Sequence, residues 1–82
     1  MRIDKFLNAV NITKRRSIAQ DMLANRVVEI NGTLVKSSKK VAVGDTITIN
    51  YLESSKSYEV LQLPATKSTP KSLQNEYIKE LS

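Results

Sequence analysis

Lys14, Arg15 and Arg16 stand side by side directly after Thr13, and Ile18, Ala19, Met22 and Leu23 follow at the spacing of one buried helix face. Threonine is a good N-cap, so the pattern predicts a helix from about Lys14 to Asn25 or Arg26. Its first turn would hold three cations against the positive end of the helix dipole, each costing about 0.3–1 kcal/mol where an acid would help. Stability does not explain that choice. Free N–H groups at a helix start favour an anion, and cations at the same end strengthen the attraction, so the implied chemistry is phosphate binding. The same geometry predicts that Arg15 lies nearest the apolar face, with Lys14 and Arg16 on the flanks.

The rest of the charge agrees. Of the net +5, all lies on residues 1–50, where Arg2, Lys5, Lys14, Arg15, Arg16, Arg26, Lys36, Lys39 and Lys40 face only Asp4, Asp21, Glu29 and Asp45. Residues 51–82 hold four of each sign. Such asymmetry suits a polyanion-binding face better than a general solubility charge. With 82 residues the chain is one small domain with one principal face. The absence of Cys and His removes disulfides, thiolate metal sites and the commonest general base, which weighs against an enzyme and predicts neither a metal nor a cofactor. No apolar run nears the length of a signal or a membrane span, so a cytoplasmic protein without a membrane partner is expected.

The elements that must carry these residues follow in order. Ile3, Phe6, Leu7 and Val10 mark a first short helix, with Asp4 at its start as a cap or charge complement and Arg2 and Lys5 exposed. The short Asn11-Ile12 link makes the two helices packed neighbours. Asn25 is the better candidate for a left-handed helix end. Val27 to Ile30, Asn31-Gly32 and Thr33 to Val35 read as a hairpin with a type I′ turn, the turn itself explaining both Asn31 and Gly32. Lys36-Ser37-Ser38-Lys39-Lys40 is a cationic loop able to approach a phosphate backbone. A strand with Ile47, Ile49 and Tyr51 on its buried side and another from Ser57 to Leu63, stopped by Pro64, complete a small, mainly antiparallel sheet with helices on one side. Residues 65–71 read as a linker, with Thr69-Pro70 as N-cap and first position of a short C-terminal helix carrying Leu73, Tyr77 and Leu81.

The ordered set Arg2-Ile3-Asp4-Lys5-Phe6-Leu7, Lys14-Arg15-Arg16 with Ala19, Val28-Glu29-Ile30-Asn31-Gly32, Lys36, Ser38, Val41 and Gly44-Asp45 resembles the S4 RNA-binding domain, from Arg2 to about Tyr51. The length is similar to that of the stand-alone S4 proteins of bacterial ribosome-associated quality control, and to the small heat-shock S4 protein of stalled large subunits. The resemblance implies an α+β fold of the S4 (alpha-L) type: two packed N-terminal helices on the sheet, with residues 1–64 as the domain and 65–82 as linker and short helical extension. It puts Arg2, Lys5 and Arg16 on the family's basic helix positions, Asp4 on its acidic one and Lys36 on its post-hairpin lysine. It implies a non-catalytic protein that acts as a monomer on the large ribosomal subunit, touching ribosomal RNA and peptidyl-tRNA beside an elongation partner that recruits tRNA. Arg26 stands where the family usually has Gly, so the junction is expected to shift to Asn25 or adopt another geometry, with Arg26 either an added RNA contact or an exposed junction residue.

Other readings are weaker. Phe6 belongs to the core and the tyrosines are not interleaved with cations, which disfavours a single-strand stacking platform. A β-grasp sulfur carrier would need a terminal Gly-Gly, whereas this chain ends Lys79-Glu80-Leu81-Ser82. A small hydrolase lacks a base or nucleophile constellation. An S4 protein that binds another structured RNA, as regulator or assembly factor, stays open.

Overall fold

The computed structural model describes residues 1–66 and 68–81. Two helices, α1 (Ile3–Ala9) and α2 (Arg16–Ala24), precede strands β1 (Val28–Ile30), β2 (Thr33–Leu34), β3 (Thr46–Asn50) and β4 (Ser55–Val60). A 3₁₀ turn (Lys71–Leu73), a one-turn helix α3 (Gln74–Tyr77) and a last strand β5 (Ile78–Glu80) follow. The sheet runs β2-β1-β3-β4-β5, every pairing antiparallel. This is the α+β arrangement expected.

The apolar faces of α1 and α2 close on this sheet. Ile3, Phe6 and Leu7 of α1 and Val10 just after it are buried with Ala19 and Leu23 of α2, over Val28, Ile30, Ile47, Ile49, Val60 and Ile78. Alternation along β3 turns Ile47 and Ile49 inward as the period of two requires, but Tyr51 lies past the strand end and is exposed. The β1–β2 turn has φ of 52° at Asn31 and 84° at Gly32, the left-handed pair that a type I′ turn needs. Asn31 does more than turn the chain. Its side chain donates to Asp45 Oδ1 at 3.1 Å and accepts from the Thr46 N–H at 2.9 Å, tying the hairpin to the start of β3.

Several boundaries differ from expectation, each for a local reason. Thr13 does not cap α2. Its hydroxyl donates to the Arg15 carbonyl at 3.2 Å and its N–H to the Leu7 carbonyl at 3.1 Å, so the chain stays drawn against α1 and the helix starts two residues later than expected. Lys14 and Arg15 therefore precede the helix; Arg15 is an exposed, extended residue and does not pack on the apolar face. Both helices end in the same left-handed motif. Asn11 N–H bonds Asn8 O and Ile12 N–H bonds Leu7 O; likewise Arg26 N–H bonds Leu23 O and Val27 N–H bonds Met22 O. The left-handed residue after α2 is thus Arg26, with φ 60°, while Asn25 has φ −82°.

The C-terminal segment folds back onto α1. Thr69, expected as an N-cap, is buried instead: its N–H and its hydroxyl both donate to the Ala9 carbonyl, at 2.9 and 2.8 Å. Gln74 Nε2 donates to the Val10 carbonyl at 2.8 Å, so two carbonyls left open by the end of α1 are satisfied. The helical period through Leu73, Tyr77 and Leu81 breaks at Ile78, where the backbone extends to pair with β4. Ile78 is buried, while Leu73 and Leu81 are exposed. Its replacement by alanine is expected to cost about 2–4 kcal/mol in urea unfolding, as for other large-to-small core changes. A near-neutral result would mean that β5 contributes little to the core.

Candidate nucleic-acid interface

The side chains that could hold a phosphate are organised by a carboxylate. Asp4, in the first turn of α1, is fully buried. Its Oδ1 accepts from the Lys5 N–H at 2.8 Å and lies 3.3 Å from Arg2 Nε. Its Oδ2 accepts from Arg16 Nη2 at 3.2 Å and Nε at 3.3 Å, from Gln20 Nε2 at 3.2 Å and from Arg2 Nη2 at 3.4 Å. Arg16 and Gln20 are one helical turn apart on α2, so both reach the same oxygen from one face. The Arg2 and Arg16 side chains remain 45% and 42% exposed. Each is thus fixed on one side and open to solvent on the other, and a planar guanidinium keeps spare donors in a set direction.

Burial alone pushes the Asp4 carboxyl up. Hydrogen bonds from Gln20, the Lys5 N–H and Arg16, with the Arg16 charge, more than reverse this and hold it below the ordinary 3.8. The expected role of Asp4 at the helix start is therefore part of a larger one. It joins α1 to α2 and compensates the one cation, Arg16, that does stand in the first turn of α2.

The 36–40 loop is stitched beside Arg2. Ile3 N–H donates to Lys39 O at 2.7 Å and Val41 N–H to Met1 O at 2.8 Å, around a bridge between Arg2 and Lys40. Arg2 Nε also reaches Ser37 O at 3.4 Å. Lys36, Lys39 and Lys40 are exposed on this loop and line one groove with Asn31 and Asp45. Lys36 also lines a second groove with Gln20 and Arg26. Arg2 and Arg16 thus share one carboxylate, and Arg26, Lys36, Lys39 and Lys40 line two grooves that meet at Lys36. Lys5 is exposed beside Met1, Ala9, Ala65 and Thr66, in a separate hollow, and Lys14 and Arg15 are exposed before α2 without an ion pair among the described residues. Gln20 was not among the residues expected here; its only sequence signal is its one-turn spacing from Arg16.

Residues 1–47 match the family profile described as S4 domain. The chain belongs to the S4 domain family. A Helicobacter pylori protein called RQC P-site tRNA stabilizing factor is 46% identical over 78 residues, 95% of this chain and 93% of that one. The Bacillus subtilis protein of the same name is 33% identical over 66 residues, 80% of this chain and 77% of that one. Among solved structures, the trimeric Vibrio cholerae Heat Shock Protein 15 superposes with a TM-score of 0.88 at 27% identity, covering all of this chain and 82% of that one. The solution structure of a hypothetical protein gives 0.86 at 44%, covering 100% and 98%. This S4 chain has no helix among the described residues long and apolar enough to cross a membrane.

A carboxyl whose value is lowered by folding adds stability that is complete above its unfolded value and is lost as the pH falls through the folded one. Asp4→Asn is therefore expected to lower stability at pH 7 by about 1.5–3 kcal/mol, the range for hydrogen bonds to a charged group, and to flatten the decline in acid. Urea titrations between pH 3 and 7 measure both, and an unchanged acid slope would remove Asp4 as its source.

Proposed function

We propose that this S4 protein binds the large ribosomal subunit, through ribosomal RNA and peptidyl-tRNA, in the rescue of stalled translation. The observation that carries the reading is the pair of exposed guanidiniums fixed by a buried carboxylate, on a chain that aligns over 95% of its length with a relative called RQC P-site tRNA stabilizing factor. Arg2 and Arg16 neutralise phosphates with donors held in set directions, and Lys36, Lys39 and Lys40 extend the contact along the loop. Lys5, Lys14 and Arg15 add charge at its margins. Folded RNA is recognised by the shape of its backbone more than by base edges, which a rigid cationic face suits.

The protein acts by binding, as a single copy in the cytoplasm where the ribosome is. By holding tRNA on an obstructed subunit it supports elongation of the nascent chain by a partner that recruits further tRNA. Binding several phosphates releases counterions, so affinity for purified large subunits is expected to fall steeply between 50 and 200 mM salt, as is general for such contacts. Arg16→Ala is expected to weaken co-sedimentation with those subunits by about tenfold, the scale of one lost charged contact of ~1.4 kcal/mol. A tagged protein should recover free large subunits carrying tRNA. Recovery of only messenger or small RNA would contradict this reading and favour a regulator of another transcript.

A further inference from the structure

Five described residues have φ in the left-handed region: Asn11, Arg26, Asn31, Gly32 and Gly44. Four are of the types that tolerate it. Arg26, at φ 60°, is the exception, and a residue with a Cβ and no local side-chain hydrogen bond holds this conformation at a cost. At the matching position after α1 the chain uses Asn11. The conformation is demanded by the motif that ends α2; the arginine is not.

Among the described residues nothing engages the side chain of that arginine. It is exposed and takes part in no ion pair or side-chain hydrogen bond among the described residues. Attraction to the negative end of α2 does not account for it, since a cation at Asn25, where φ is −82°, would gain the same attraction without strain. Arg26 borders an open groove of about 630 Å³. Arg26 and Lys36 bring cations to it beside Gln20; Leu23, Ala24, Leu34 and Val35 give it apolar surface, and no carboxylate side chain of the described residues lines it. Leu34 is 46% exposed on an edge strand, so much of that surface is open. Gln20 is held by Asp4, the same carboxylate that fixes Arg2 and Arg16.

We infer that this groove is a second RNA-backbone site, taking a phosphate between Arg26 and Lys36 with its ribose against Leu34 and Val35. The chemistry fits one sugar–phosphate unit: cations with free donors for the anion, and a small apolar surface for the carbon face of the sugar. Through Gln20 it is continuous with the Arg2–Arg16 pair, so the strand bound there runs on past the end of α2.

This inference rests on the proposed binding of large subunits, and its test separates the two. Wild type, Arg26→Gly, Arg26→Lys and Leu34→Asp are titrated against purified large ribosomal subunits at several salt concentrations, with urea unfolding in parallel. Arg26→Gly is expected to unfold at higher urea yet bind about three- to tenfold more weakly, with the slope of log affinity against log salt reduced by roughly one contact. Arg26→Lys should retain most of the affinity, and Leu34→Asp should weaken it while leaving the fold intact. Equal affinity and slope for wild type and Arg26→Gly would overturn the groove as a site. Failure of the wild type itself to bind the subunits would overturn the proposed function instead.

Discussion

The structure depends on one buried charge. Asp4 has lost its water, and an ionised carboxylate in that position is tolerable only because donors from three places converge on it: the α1 backbone, Arg2 and the Arg16–Gln20 face of α2. The requirement works in both directions. The guanidiniums satisfy the acid, and the acid holds two long, flexible cations that would otherwise sample many rotamers on the surface. The ordering entropy of two arginines is thereby met during folding rather than at the moment of binding.

Around that charge the chain is laced from both ends. The backbone flanking Arg2 pairs with the 36–40 loop, bringing the lysines of that loop beside the N-terminus, and Thr69 and Gln74 close the carbonyl end of α1. The basic face is therefore composite, drawn from the start of α1, the start and end of α2 and a loop between two strands. None of these pieces would keep its geometry alone. The sheet that supports them is short-stranded, so the helix-on-sheet core of Ile3, Phe6, Leu7, Ile47, Ile49 and Ile78 has to supply the rigidity.

Much of the frame could be read from residue order, because it rests on local rules. Ile3, Phe6, Leu7 and Val10 lie on one helix face by periodicity, and Asn31-Gly32 leaves few alternatives to a type I′ turn. The S4 identity was legible too, since the ordered motifs from Arg2 to Gly44-Asp45 lie within the matched residues 1–47. What escaped was decided by contacts that helix and turn propensities do not show. Thr13 looked like a cap until α1 offered it another carbonyl to stay beside. Asp4 looked like a helix-start residue because its burial depends on Arg16 and Gln20, twelve and sixteen residues away. Ile78 broke a helical repeat because β4 presented an edge to extend. Arg26 took the left-handed position because the hydrogen bonds closing α2 require it there, outweighing the preference that pointed to Asn25.

The claim that the acid prepares the cations can be separated from the claim that charge alone binds RNA. Asp4→Asn removes a negative charge from the basic face, so a surface acting only through net charge would bind large ribosomal subunits more tightly. The measurement is the affinity of wild type and Asp4→Asn for purified subunits at pH 7 and fixed salt, under conditions where circular dichroism shows both folded. If Asp4 fixes Arg2 and Arg16 for phosphate, the variant binds more weakly despite its higher positive charge. Equal or tighter binding would contradict the account.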